Sequence, residues 1–162
     1  PKIIHVKDTI KTLQLLAKKH RENFNIPIIS ITGSNGKTTT KNILNSFLST
    51  KYNTCCTQGN YNNHIGVPLS LSSLEKNTDF GVFELGMSKK NEINVLSKLV
   101  KPDIAVITNI TYAHAENFKN ISGGAMGKSL GKGIILVFPV FGLVLVHRVY
   151  GIPFTTLFFR YY

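Results

Sequence analysis

Residues 32–40 read TGSNGKTTT, with a lysine set directly behind two closely spaced glycines. That pattern suits an anion. Gly33 and Gly36 let the backbone turn so that successive amides converge, and a helix starting at Lys37 would add the positive end of its dipole. Lys37 can then neutralise phosphate oxygens, and the Thr38 hydroxyl can reach Mg²⁺. The GxxGKT spacing is two residues shorter than the common GxxxxGK[ST] loop, and by itself it also fits a glycine-rich strand-to-helix turn with an incidental lysine. Two further groups could share the chemistry. Glu84 closes an otherwise apolar run, where a carboxylate is either a solvated strand end or a ligand for a hard cation, and the second reading is favoured. Asn109 and His114, after a later apolar run, offer an amide and an imidazole.

The elements that must position these groups alternate. Residues 27–31 (PIISI) form a short, β-branched apolar run expected to be a buried strand, and Lys37 to Leu48 reads as the helix after the glycine turn. Residues 80–85 and 103–108 are two more candidate buried strands, with helical spacing over residues 92–99 between them. The expected fold is therefore α/β, a mostly parallel sheet flanked by helices with a phosphate loop. Such sheets bind ligands at the carboxyl ends of their strands, so the loop, Glu84, Asn109 and His114 are expected to converge. Ahead of them, Ile10, Leu13, Leu16 and Ala17 suit a short amphipathic helix capped by Asp8 or Thr9, ending in a polar KKHREN linker.

A chain of 162 residues is long enough for one domain with its own core. Its net charge of +11 does not come as a basic stripe interleaved with aromatics, so no nucleic-acid partner is expected. Adjacent Cys55 and Cys56 fit neither a disulfide framework nor the spaced pairs of a zinc site, and the start PKIIHVKDT has no apolar signal run. A reducing cytoplasm is the expected location.

Other stretches add a family resemblance to the loop. TGSNGKTTT resembles the ATP loop of the Mur ligases, which join amino acids or dipeptides to a peptidoglycan precursor. Residues 59–69 (GNYNNHIGVPL), 83–87 (FELGM), 108–110 (TNI) and 113–118 (AHAENF) resemble, in order, segments of the MurF-type branch of that family, and residues 6–9 (VKDT) resemble its entry to the ATP domain. The resemblance spans residues 5–120 and implies an ATP-dependent amide ligase acting through an acyl phosphate, with UDP-N-acetylmuramoyl-tripeptide and D-alanyl-D-alanine as substrates. It implies that Gly33, Ser34, Asn35, Gly36, Lys37, Thr38, Thr39 and Asn109 bind ATP and that Lys37, Glu84 and His114 are catalytic. Thr38, Glu84 and His114 would hold Mg²⁺. For Asn60, Asn62 and Asn63 it implies substrate or phosphate contact, beside the plain alternative that asparagines shape a turn. A monomer without a membrane span is expected.

The pattern then weakens. Lys128 falls where the branch carries a lysine that can be carbamylated to bridge a second Mg²⁺, but Leu130 replaces the acidic residue two places on, and the four glycines of residues 121–131 undermine a helix. A surface lysine is the alternative. Three regions are therefore expected: residues 1–25 as a linker helix after a missing N-terminal domain, residues 26–122 as part of a central ATP-binding domain, and residues 123–162 as an atypical apolar tail. That tail has no acidic residue and holds half of the chain's aromatics; a buried strand pair, a membrane hairpin and an out-of-frame continuation of a truncated ligase are the open readings.

Overall fold

In the computed structural model the described residues are 3–88, 91–108 and, as backbone, 133–138, 143–147 and 156–158. Among the described residues four helices and seven strands run in the order α1 (Thr9–Arg21), β1 (Ile28–Thr32), α2 (Lys37–Leu48), β2 (Thr54–Cys56), α3 (Gly66–Ser72), β3 (Phe80–Glu84), α4 (Glu92–Val100), β4 (Ile104–Ile107), β5 (Gly133–Phe138), β6 (Leu143–His147) and β7 (Thr156–Phe158). The strands form one sheet in the order β2-β3-β1-β4-β5-β6-β7. Pairing is parallel from β2 through β5 and antiparallel from β5 to β7. The expected, mostly parallel α/β sheet is therefore present. In the tail the backbone forms the strand pair β5 and β6, in register from Ile134 opposite His147 to Phe138 opposite Leu143. Among the described residues no helix is long and apolar enough to cross a membrane.

Every residue of β1 is buried because β1 is central and helices cover both faces. Alternation along the strands sorts the core in two. Ile28, Phe83, Leu85, Ala105 and Ile107 face α1, α3 and α4, where Ala17, Leu71, Leu96 and Val100 close the larger cluster. Ile29, Ile31, Val82 and Val106 face α2 and pack with its Leu44 and Leu48. Glu84, two residues beyond Val82, therefore emerges on the α2 side.

The polar KKHREN stretch corrects the expected linker. Helix α1 continues through Lys18, Lys19 and His20 to Arg21, where the two lysines and the arginine complement the negative end of the helix dipole. Arg21 is buried, donating to the carbonyls of Val100 (3.0 Å) and Phe24 (2.6 Å). Of the expected apolar face, Ala17 is buried, whereas Ile10 and Leu16 are exposed. The buried side instead follows Ala17 and Arg21, four residues apart. Asp8 is the cap, its carboxylate accepting from the Lys11 amide at 2.9 Å.

Candidate functional site

The loop leaves β1 at Thr32 and enters α2 at Lys37. Gly33 (φ 138°) and Gly36 (φ 78°) adopt backbone angles that side chains disfavour, and Gly36 is the N-cap of α2. Behind the loop, the Thr108 hydroxyl donates to the carbonyls of Thr32 (3.2 Å) and Asn35, tying the end of β4 to the turn. The Lys37 ammonium folds back onto the carbonyls of Gly33 (2.8 Å) and Ser34 (3.3 Å). Its charge is thus held at the mouth of the turn. Thr39 lies exposed on the first turn of α2.

Glu84 is not a solvated strand end, since it is only 1% exposed. One carboxylate oxygen accepts from the Thr38 hydroxyl at 2.9 Å and the other from the Asn62 amide at 2.8 Å. Among the described residues no cation forms an ion pair with it. A buried carboxyl group whose hydrogen bonds come from neutral donors keeps acceptor capacity. That is the chemistry of a hard-cation site, so Thr38 and Glu84 together fit Mg²⁺. Among the described residues no group of three or more His, Cys, Asp or Glu side chains gathers as a metal site; what they offer a hard cation here is the Glu84 carboxylate and the Thr38 hydroxyl. His114, Asn109 and Lys128 lie outside the described residues.

The three asparagines play different parts. Asn62 aims its side-chain amide at Glu84, and its backbone carbonyl accepts from the Gly86 amide at 2.7 Å. Asn63 serves the local turn, its side-chain oxygen accepting from the amides of Ile65 (3.0 Å) and Gly66 (2.9 Å) as α3 begins. Asn60 is exposed, and its carbonyl accepts from the Asn62 amide at 2.7 Å.

Two contributors lay outside the sequence reading. Thr57, 1% exposed, accepts the Glu84 amide on its hydroxyl at 3.0 Å. Lys41, 3% exposed, donates to the carbonyls of Thr57 (2.7 Å) and Gly59 (3.3 Å). A signal for Lys41 was available: positions 37, 41, 44 and 48 follow one helical stripe, and Leu44 and Leu48 mark it as facing the sheet.

Close packing of Gly86 supplies a test of the Asn62 contact. A Cβ there would lie 2.6 Å from the Asn62 side-chain oxygen, which cannot retreat without releasing Glu84. Gly86→Ala is expected to raise the Mg²⁺ concentration needed for ATP binding about tenfold, as loss of a ligand-orienting contact does. Calorimetric ATP titrations across a Mg²⁺ series would read it, and an unchanged requirement would remove Asn62 from the site.

A cavity of about 430 Å³ lies away from this centre, beside edge strand β2, lined in part by Cys55, Cys56, Tyr61 and Ser70. The phosphate loop contributes nothing to it. Burial pushes the Cys55 thiol up to about 11, so it is neutral and unreactive at ordinary pH.

The fold and loop together define the phosphate-loop class of α/β domains, with a buried carboxylate on the neighbouring strand. Comparison with known proteins narrows the class. The Mur ligase middle domain matches residues 31–129. UDP-N-acetylmuramoyl-tripeptide--D-alanyl-D-alanine ligase of Bacillus subtilis (strain 168) is 46% identical over 126 residues, covering 78% of this chain and 28% of that protein. The enzyme of the same name from Borreliella burgdorferi is 49% identical over 129 residues, again covering 78% of this chain and 28% of that protein. Among solved structures, MurF from Acinetobacter baumannii superposes with a TM-score of 0.68 at 29% identity, over 96% of this chain and 44% of that one. MurF ligase from Thermotoga maritima, solved in complex with ADP, shares the fold with a TM-score of 0.64 at 24% identity, over 90% of this chain and 44% of that one. The chain belongs to the Mur ligase family. It spans 28% of the length of the curated relatives named above.

Proposed function

We propose that this chain carries the ATP and Mg²⁺ centre of a D-alanyl-D-alanine-adding ligase, which extends UDP-N-acetylmuramoyl-tripeptide in peptidoglycan precursor synthesis, and that it works in the cytoplasm as a monomer. The observation that carries the reading is the 2.9 Å bond between Thr38, in the first turn behind the glycine loop, and the buried Glu84. It joins a phosphate cradle to a carboxylate that, among the described residues, has no ion-pair partner.

In this reading the loop amides and the N-terminus of α2 receive the ATP phosphates. Lys37 neutralises charge on the γ-phosphoryl oxygens as the tripeptide carboxylate attacks phosphorus and ADP departs. The amine of D-alanyl-D-alanine then attacks the acyl phosphate carbon, releasing phosphate and forming the amide. Mg²⁺ would supply charge neutralisation and alignment of the phosphates, held by Thr38 and Glu84. Asn62 and Thr57 keep Glu84 turned toward Thr38, and His114 and Asn109 are further metal and nucleotide candidates by family likeness.

A second reading is a nucleotide-binding module that does not itself ligate, built on the same loop and the same Thr38–Glu84 bond. Calorimetry with Mg-ATP, followed by mass analysis after mixing with both substrates, separates the two. Saturable Mg-ATP binding is expected. Amide product then supports the ligase, binding without product supports the module, and absence of binding overturns both.

A further inference from the structure

Lys41 is an unusual expenditure of charge for an α/β core. Burying an ammonium costs several kcal/mol unless its donors are met, and here two backbone carbonyls take two of its three N–H groups, with no carboxylate in an ion pair with it among the described residues. A methionine would fill similar space without desolvating a charge. The position therefore calls for an explanation in what those carbonyls hold.

They belong to Thr57 and Gly59, where the chain leaves β2 and turns toward Asn62. The same short segment grips Glu84 twice. Thr57 accepts its backbone amide at 3.0 Å, and Asn62 donates to its carboxylate at 2.8 Å. Asn62 is tied in turn to the end of β3 through the Gly86 amide. Lys41 reaches this segment from α2, one helical turn beyond Lys37, so a single rigid helix sets both the phosphate-facing cation and the anchor of the segment that orients the carboxylate. Lys41 and Glu84 also lie near enough to share an influence on Cys56, whose thiol is raised mainly by burial, with Lys41 opposing the rise and Glu84 adding to it.

We propose that Lys41 is a positioning residue for the Mg²⁺ carboxylate: through the Thr57 and Gly59 carbonyls it fixes the residue 57–62 segment, and thereby the direction in which Glu84 presents its oxygens beside Thr38. The inference rests on the Mg-ATP reading above. It goes further by assigning a role in metal presentation to a lysine whose ammonium is bound to the backbone carbonyls of Thr57 and Gly59.

The experiment titrates ATP into the 162-residue chain by calorimetry, once in EDTA and once across a Mg²⁺ series, for wild type, Lys41→Met and Thr57→Val. Thr57→Val keeps the carbonyl that Lys41 uses but removes the hydroxyl that accepts the Glu84 amide. Expected is a rise of about tenfold in the Mg²⁺ concentration for half-maximal ATP binding in either variant. Metal-free ATP affinity should move by less than about twofold, a split that a general loss of fold would not produce. Equal loss with and without Mg²⁺ in Lys41→Met overturns the proposal, because the lysine then supports the loop or the fold at large. If Lys41→Met does not fold, Thr57→Val decides, and an unchanged Mg²⁺ requirement there overturns it. A wild-type chain that binds Mg-ATP beside a Lys41→Met chain with the same requirement refutes the positioning role alone. Absence of Mg-ATP binding by wild type refutes the nucleotide reading and, with it, this one.

Discussion

Lys37→Ala is expected to weaken Mg-ATP binding about a hundredfold or more, the largest functional effect of any single change in the loop. The ammonium is already held over the turn by the Gly33 and Ser34 carbonyls, so little reorganisation separates that position from one against a phosphate oxygen. Alanine is a strong helix former and suits the first turn of α2, so the fold should survive. Melting temperature therefore serves as the control, and calorimetry as the readout. Unchanged affinity in a folded variant would mean that phosphate does not bind at this loop.

Gly66→Ala should produce the largest loss of stability. A Cβ at that position would lie 2.5 Å from both the Tyr61 carbonyl carbon and its Cα. Those are backbone atoms, and no rotamer change relieves them. Either α3 moves outward, opening the contact of Val67 and Leu71 with the main core, or the residue 61–63 turn shifts. We expect a cost of about 3 kcal/mol, hence a fall in melting temperature of about 10 °C. Domains of this size are stable by only about 5–15 kcal/mol, so the change is large. A fall of less than about 2 °C would show that α3 is not packed this closely. The shift would also disturb Asn62, so the surviving folded protein should need more Mg²⁺.

The strands around the loop were legible because each is a short apolar run whose both faces are buried. Expected boundaries for β1, β3 and β4 fall within one residue of the observed ones, and α2 spans Lys37–Leu48 as expected. Strand β2 escaped because three residues, Thr54–Cys56, carry no period, and an edge strand needs none. Helix α3 escaped for a related reason: seven residues containing Gly66 and Pro68 look like a turn, and Pro68 is tolerated because it sits in the first turn, where amides lack partners anyway. At the site, the loop and Glu84 could be read locally. Their union could not, since Thr38 and Glu84 are 46 positions apart and meet only through sheet order. Asn62 is read from sequence as either a turn former or a substrate or phosphate contact, and the structure adds that its side-chain amide donates to Glu84, a partner that no local pattern reveals.

The position of β1 in the sheet also bears on how this protein is made. Ile29 pairs with Val82 on one side and Ile104 on the other, partners that leave the ribosome long after it does. Until both arrive, a strand that is fully buried in the folded domain has neither neighbour, and the glycine turn that follows it has no wall formed by Thr108. Non-local pairing of this kind makes folding slow and leaves nascent strands open to aggregation. The glycine turn, made before β3, β4 and Thr108, therefore takes its final shape only after all three have been synthesised.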